Sequence, residues 1–257
     1  MITYKDTIYD YITKWIRSLV ISSNKQSVIC VVTGGTDSCL NAALCLRATS
    51  NIPVNLIFMG FKPEQENLFE KWVRDNFDQN HCSIIKPVHP VIKDDTLENV
   101  NTAVSMIPAY LDIYAKLYNS ISFGSITRSE YSMVKFFKSR VDDCYDYYPI
   151  VDLYKSECKE LASYMGLPDK VVDSKSITEE SFGFTFDELE WLDRENDNIS
   201  IVSGTDFPIT SKFWGMYNDR KKLLLTRVFQ LNKQNINKTI QDGKKCLVRK
   251  AFPGAIN

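Results

Sequence analysis

Apolar and polar positions along the chain fall into blocks that switch between a helical and an extended period. MITYKDTIYDYITKWI, at the start, sets charged against apolar residues at helical spacing and reads as an amphipathic helix. SVICVV (27–32) is continuous and β-branched, the pattern of a strand buried on both faces of a parallel sheet. CLNAALCLRA (39–48) has helical spacing, and PVNLIFMG (53–60) is a second strand. PEQENLFEKWVRDNF (63–77) is a helix whose first turn carries Pro and acids, which suits the positive end of the helix dipole. CSIIKPV (82–88) is a third, shorter strand. Residues 97–118 are helical apart from Pro108, which is predicted to kink or split the segment. SISFGS (120–125) is a fourth strand. Strands alternating with helices predict an α/β fold built on a doubly wound parallel sheet.

Beyond residue 150 the pattern turns helical. DLYKSECKELASYMGLP predicts a helix with Asp152 as its N-cap, Gly166 as its stop and Pro168 just beyond. TFDELEWLDR (185–194) is another helix, ENDNISIVSGTDFPITSK (195–212) is polar, and a last helix is expected near 217–233. The expectation is one domain over 1–257 with a helical C-terminal part and a divergent extension from about 195. SGTD at 203–206 echoes the Thr33–Ser38 turn but lacks a strand-to-helix context and reads as a loop.

Composition narrows the function classes. The 257 residues suffice for a sizeable core. No apolar run reaches the roughly 18 residues a membrane span needs, and the N-terminus lacks a signal peptide's apolar centre. Net charge is −1, so no global field favours nucleic acid. Ten Lys or Arg nonetheless face one acid, Asp242, between Arg220 and Lys250. That run is either a solvated helix and tail or a basic arm that closes over phosphates. Seven Cys, none in a C-x-x-C pair, indicate reduced, mostly buried thiols and a cytoplasmic location. With only His81 and His89 present, a zinc site and a Ser-His-Asp mechanism are both disfavoured.

The chemistry concentrates in Thr33-Gly34-Gly35-Thr36-Asp37-Ser38, between the first strand and the helix after it. In a doubly wound sheet ligands sit beyond the carboxyl ends of the strands, where strand order reverses. A loop entering a helix there points free N–H groups at the crevice. Gly34 and Gly35 permit close backbone approach and positive φ, and Thr33 and Ser38 add hydroxyls, a set that suits phosphate or pyrophosphate. Asp37 would repel a phosphate unless a cation lies between, which points to a magnesium ligand. The bland alternative is a strand–helix turn capped by Asp or Ser. No Lys follows the glycines, so the turn is not a Walker A loop.

The turn resembles the S-G-G-x-D-S pyrophosphate loop of the N-type ATP pyrophosphatases, with Thr33 in the Ser position. Within that superfamily residues 123–176 are similar to the middle region of the NAD synthetases. Gly124, Thr127-Arg128-Ser129-Glu130, Lys135 or Lys138, and Asp146-Tyr147-Tyr148-Pro149-Ile150-Val151-Asp152-Leu153-Tyr154-Lys155 follow the family order. The resemblance covers about 25–192, and Arg249-Lys250-Ala251-Phe252-Pro253 is similar to the family's tail. It implies an adenine nucleotide alpha hydrolase-like fold and an ammonia-dependent ligase. Such an enzyme adenylates the nicotinate carboxylate of deamido-NAD with ATP, then amidates it, releasing AMP and pyrophosphate.

Carried over residue by residue, the resemblance implies ATP contacts from Thr33, Gly34, Gly35, Thr36, Asp37, Ser38, Met59, Thr127, Lys155 and Thr178. Asp37 and Glu130 would hold Mg2+, and Asp37, Lys155 and Thr178 would act in catalysis. Asn99, Lys138, Asp142 and Asp143 would meet the acceptor, with the acting loop acid left open. Segments 138–146 and 175–184 would cover the adenylate. The resemblance also implies a homodimer through the 97–118 helix, with nitrogen from free ammonia or a separate glutaminase. One departure stands out. The family's N-x-x-x-R-x-R-M reads Asn99 to Met106 here, with Ala103 and Ser105 in place of both arginines, a loss of about 1–3 kcal/mol each if they made charged hydrogen bonds. A divergent NAD synthetase with a rebuilt acceptor site, a relative acting on another acceptor, and a nucleotide-binding protein without turnover all remain open on the sequence.

Overall fold

The computed structural model describes residues 5–87, 104–133, 144–175, 185–187, 190 and 242–251. Four parallel strands lie in the order β3-β2-β1-β4: β1 Ser27–Val32, β2 Val54–Phe58, β3 Cys82–Ile85 and β4 Ser120–Phe123. The registers pair Val28 with Val54, Val28 with Ile121 and Val54 with Cys82. The chain steps outward from β1 to β3, then returns to the other side of β1 to lay down β4. The order therefore reverses between β1 and β4, within the doubly wound parallel sheet that the alternating pattern predicts.

Successive β1 residues serve opposite faces, which is why the strand reads as an unbroken apolar run. Val28, Cys30 and Val32 join one core with the helices α1 (Lys5–Ser22), α2 (Thr36–Ala48) and α3 (Pro63–Asn76). Ile29 and Val31 join a second core with Ile57, Met59, Tyr145, Tyr148 and two residues of α4 (Ile107–Leu117), Ile107 and Leu111. Along α1, Ile8, Ile12, Ile16 and Val20 recur at four-residue spacing and are all buried, the stripe expected of an amphipathic helix. α2 is instead buried almost all round, since it lies between the sheet and both α1 and α5 (Lys155–Tyr164). All seven thiols are free, as expected of reduced cysteines. Among the described residues no helix is long and apolar enough to cross a membrane.

In the described part of the 97–118 segment the expected split appears at Pro108: Val104 is helical, Ser105 and Met106 turn, and Pro108 sits in the first turn of α4, where its missing N–H has no partner to lose. One local expectation changes. Asp152 is not the cap of α5. The cap is Tyr154, whose N–H donates to Glu157 Oε2 at 2.8 Å, and Glu157 is fully buried. Asp152 instead accepts from Arg128 at 3.3 Å and from the Arg249 amide at 2.6 Å. Gly166, with φ 74°, ends α5 as foreseen. Phe186, Asp187 and Glu190 are helical, in keeping with the helix predicted over 185–194. The polar stretch and final helix expected over 195–233 lie outside the described residues.

The sheet is prolonged past β4 by single bridges, Phe123 with Tyr147 and Tyr148 with Lys245. The 242–251 segment thus runs alongside the 144–150 loop. Gly124 must lack a side chain, since a Cβ would lie 2.8 Å from the rings of both Tyr145 and Tyr148.

Candidate active site

The Thr33–Ser38 loop leaves the carboxyl end of β1 at the reversal point. Gly34 adopts φ 72°, and a Cβ there would lie 2.7 Å from Lys62 Cβ and 2.9 Å from Lys62 O. Glycine is therefore required by both conformation and space. Gly35 differs, with φ −79° and only Thr33 Oγ1 near the place of a Cβ, at 3.7 Å. Among the described residues nothing demands glycine at that position. Ser38 Oγ braces the turn by accepting from the Thr33 amide at 3.1 Å and donating to Gly35 O at 3.1 Å. Among the described residues no side chain caps α2. The amides of Thr36, Asp37 and Ser38 therefore have no helical acceptor, and the dipole of a 13-residue helix ends at the crevice.

These two glycines make a paired prediction. Gly34→Ala should lower stability by about 1–3 kcal/mol through positive φ and collision with Lys62. Gly35→Ala should melt within a few degrees of the parent yet bind ATP less tightly. Thermal melts and nucleotide titrations on both variants test this.

Across the crevice, Lys155 opens α5 and places its ammonium between two carboxylates, 2.5 Å from Asp37 Oδ2 and 3.1 Å from Glu130 Oε1. Lys155, Asp37 and Glu130 side chains keep 12, 18 and 17 % exposure, so the cluster is largely buried but reachable from the crevice. Burial disfavours the charge on Lys155, but Asp37 and Glu130 outweigh it and hold the ammonium protonated well above the ordinary lysine range. Burial raises the Asp37 carboxyl; Lys155 opposes that rise and Glu130 reinforces it. One cation thus serves two anions, leaving the trio one negative charge in excess.

The supports are equally specific. Glu130 Oε2 accepts from the amide and hydroxyl of Thr127 at 3.1 and 3.0 Å, and Thr127 is fully buried. The Thr127 hydroxyl is committed to aiming Glu130. Thr36 gives its hydroxyl to the carbonyls of Val171 and Val172 at the end of α6 (Asp169–Val172), at 3.0 and 2.9 Å, leaving its backbone for the crevice. Met59 follows β2; its side chain is buried in the second core and its amide donates to Val32 O. Thr178, Asn99, Lys138, Asp142 and Asp143 lie outside the described residues.

Three groups complete the frame, of which Glu190 and Lys62 were missed by sequence reasoning and Arg249 was read only as part of the basic tail. Glu190 is buried and accepts from Ser129 Oγ at 2.9 Å and the Ser156 amide at 3.2 Å, tying the start of α5 to the Glu130 turn. Arg249 pairs with Glu157 at 2.6 Å and lies over the Tyr154 ring, 4.6 Å from its centroid. Lys62 stands over Gly34. Arg249 belongs to the basic run read as either a solvated tail or a phosphate arm, and it does neither here. It clamps the tail onto the helix that carries Lys155.

As to metal chemistry, no group of three or more His, Cys, Asp and Glu side chains gathers among the described residues. Asp37 and Glu130 nonetheless converge on one cation position, and two carboxylates are hard oxygen donors of the kind Mg2+ takes alongside substrate phosphates.

A parallel sheet reversing at β1/β4, with a glycine loop facing a Lys-carboxylate cluster, gives the chain an α/β fold of the adenine nucleotide alpha hydrolase-like kind. Residues 8–188 match the family described as NAD synthase, and the chain belongs to that family. An NH(3)-dependent NAD(+) synthetase of Archaeoglobus fulgidus is 29% identical over 204 residues, covering 72% of this chain and 81% of the relative. One from Finegoldia magna is 26% identical, covering 73% and 83%. Among solved structures, an NMN synthetase from Francisella tularensis superposes with a TM-score of 0.67 at 16% identity over 92% of this chain and 98% of its own. An NH3-dependent NAD synthetase from Campylobacter jejuni gives 0.63 at 21% over 92% and 99%. At these identities the two structures establish a shared fold.

Proposed function

We infer that the chain is an ammonia-dependent NAD synthetase, an ATP-dependent carbon–nitrogen ligase. The observation that carries this is the convergence of Asp37, Glu130 and Lys155 on one point beside the Thr33–Ser38 loop. ATP phosphates lie on the loop amides and the α2 terminus, and Lys155 offsets charge building on the leaving pyrophosphate. Asp37 and Glu130 are the residues that would hold Mg2+, which would add a further positive charge against the phosphates. The nicotinate carboxylate of deamido-NAD attacks the α-phosphorus, the bond to pyrophosphate breaks, and an acyl adenylate forms. Ammonia then adds to the acyl carbon, loses a proton and expels AMP. Thr178 would add a hydroxyl to the phosphates, while Asn99, Lys138 and Asp142 or Asp143 would meet the acceptor. The protein acts in the cytoplasm on ammonia, free or delivered by a separate glutaminase.

A homodimer is supported by the outer face of α4, where Ile113 and Leu117 are 57 and 67% exposed beside stacked Tyr114 and Tyr118. One observation favours a second acceptor reading. Ala103 and Ser105 stand where the family carries arginines, so the grip on an anionic dinucleotide is weaker and another carboxylate substrate would fit. Pyrophosphate release measured with ATP, magnesium and ammonium, with deamido-NAD against nicotinate mononucleotide, separates the two. Faster release with deamido-NAD is expected; release with the mononucleotide alone would replace this reading with the second.

A further inference from the structure

Lys62 has no role in the account above, yet it is built into the crevice. It follows β2 as the cap residue of α3, and its stem occupies the space that a side chain at Gly34 would need. Its loop is fixed from behind. Gly60 has φ 72°, and the buried Glu66 accepts from the amides of Gly60 at 2.9 Å and Phe61 at 3.1 Å. The ammonium donates to Ser174 Oγ at 2.6 Å and to the Lys175 carbonyl. Both acceptors are neutral, and among the described residues no carboxylate forms an ion pair with it. It lies close enough to Lys155 and Asp37 to feel both charges.

A partly buried cation satisfied only by neutral oxygens is poorly compensated, and it stands beside a loop whose amides already face an anion site. We propose that Lys62 is a second phosphate-binding lysine, contacting the outer phosphates of the nucleotide from the β2 side while Lys155 approaches from the α5 side. Ser174 and Lys175 hold the amine until phosphate oxygens, which are charged and stronger acceptors, replace them. The nucleotide would thereby be gripped between two loops that share no sequence neighbourhood. The inference rests on the nucleotide reading of the site.

The test is equilibrium titration of the full chain with ATP and with AMP, using Lys62→Gln and Lys62→Arg. Gln keeps the stem over Gly34 and loses the charge. We expect Lys62→Gln to bind ATP at least about tenfold more weakly, with AMP affinity changed less than about twofold, and Lys62→Arg to retain ATP affinity within about threefold. Unchanged ATP affinity in Lys62→Gln, or equal losses for ATP and AMP, would overturn the assignment. Parent protein that binds no ATP would overturn the nucleotide reading itself, so the two failures are distinguishable.

Discussion

Lys155→Met is expected to lose at least about 10²–10³ in turnover and to melt earlier than the parent. The kinetic loss is the scale seen when one preorganised group facing transition-state charge is removed. The stability loss has a separate origin. Without the ammonium, Asp37 and Glu130 face each other across the position that lay 2.5 and 3.1 Å from them. Breaking a buried pair costs about 3–5 kcal/mol, and the residual exposure of these side chains brings this to about 2–3 kcal/mol. The variant carries a diagnostic signature. Two uncompensated carboxylates attract a dication, so magnesium without nucleotide should raise the melting temperature of Lys155→Met more than that of the parent. Thermal melts with and without magnesium, alongside turnover, check both parts. Undiminished turnover would remove Lys155 from the chemistry.

Arg249→Met is expected to be strongly destabilising. Glu157 is fully buried, and its charge is met by the Arg249 guanidinium at 2.6 Å. Truncating one partner strips the buried carboxylate of that guanidinium, at a cost of about 3–5 kcal/mol. For a chain of this size that lowers the melting temperature by roughly 6–20 °C. The partner change Glu157→Gln removes the orphaned charge, so the double variant should recover much of the loss, a coupling a double-mutant cycle measures directly. Additive losses would show that Arg249 acts independently of Glu157. Because Tyr154 caps α5 and Lys155 begins it, Arg249→Met should also weaken turnover beyond what its stability loss explains.

What the sequence made visible follows from where the signal is local. The apolar run 27–32, the glycine turn and the helix after it are contiguous, and their alternation with the later strands foretells a doubly wound parallel sheet. In it β1 and β4 are neighbours, which carries Asp37 and Glu130 to the same end of the sheet, and Lys155, read as the start of a helix, meets both. What stayed hidden depends on partners far along the chain. Arg249 lies 92 residues from Glu157, and Glu190 lies 61 from Ser129. Nothing in a single sequence says which carboxylate an arginine will find. Asp152 illustrates the opposite error, since an acid ahead of a helical pattern is a favoured cap. Tyr154 with Glu157 satisfies the helix start internally, and Asp152 is freed to receive Arg128 and Arg249. Thr36 and Thr127 are expected ATP contacts by resemblance; that each hydroxyl has a protein acceptor is a further long-range or tertiary fact the sequence does not show.

The most direct measurement is NAD and AMP formation by the purified protein supplied with ATP, magnesium, ammonium and deamido-NAD, repeated with Asp37→Ala. The account predicts one AMP per NAD from the parent and no NAD from the folded variant. AMP without NAD, or NAD formed equally well by Asp37→Ala, would contradict it.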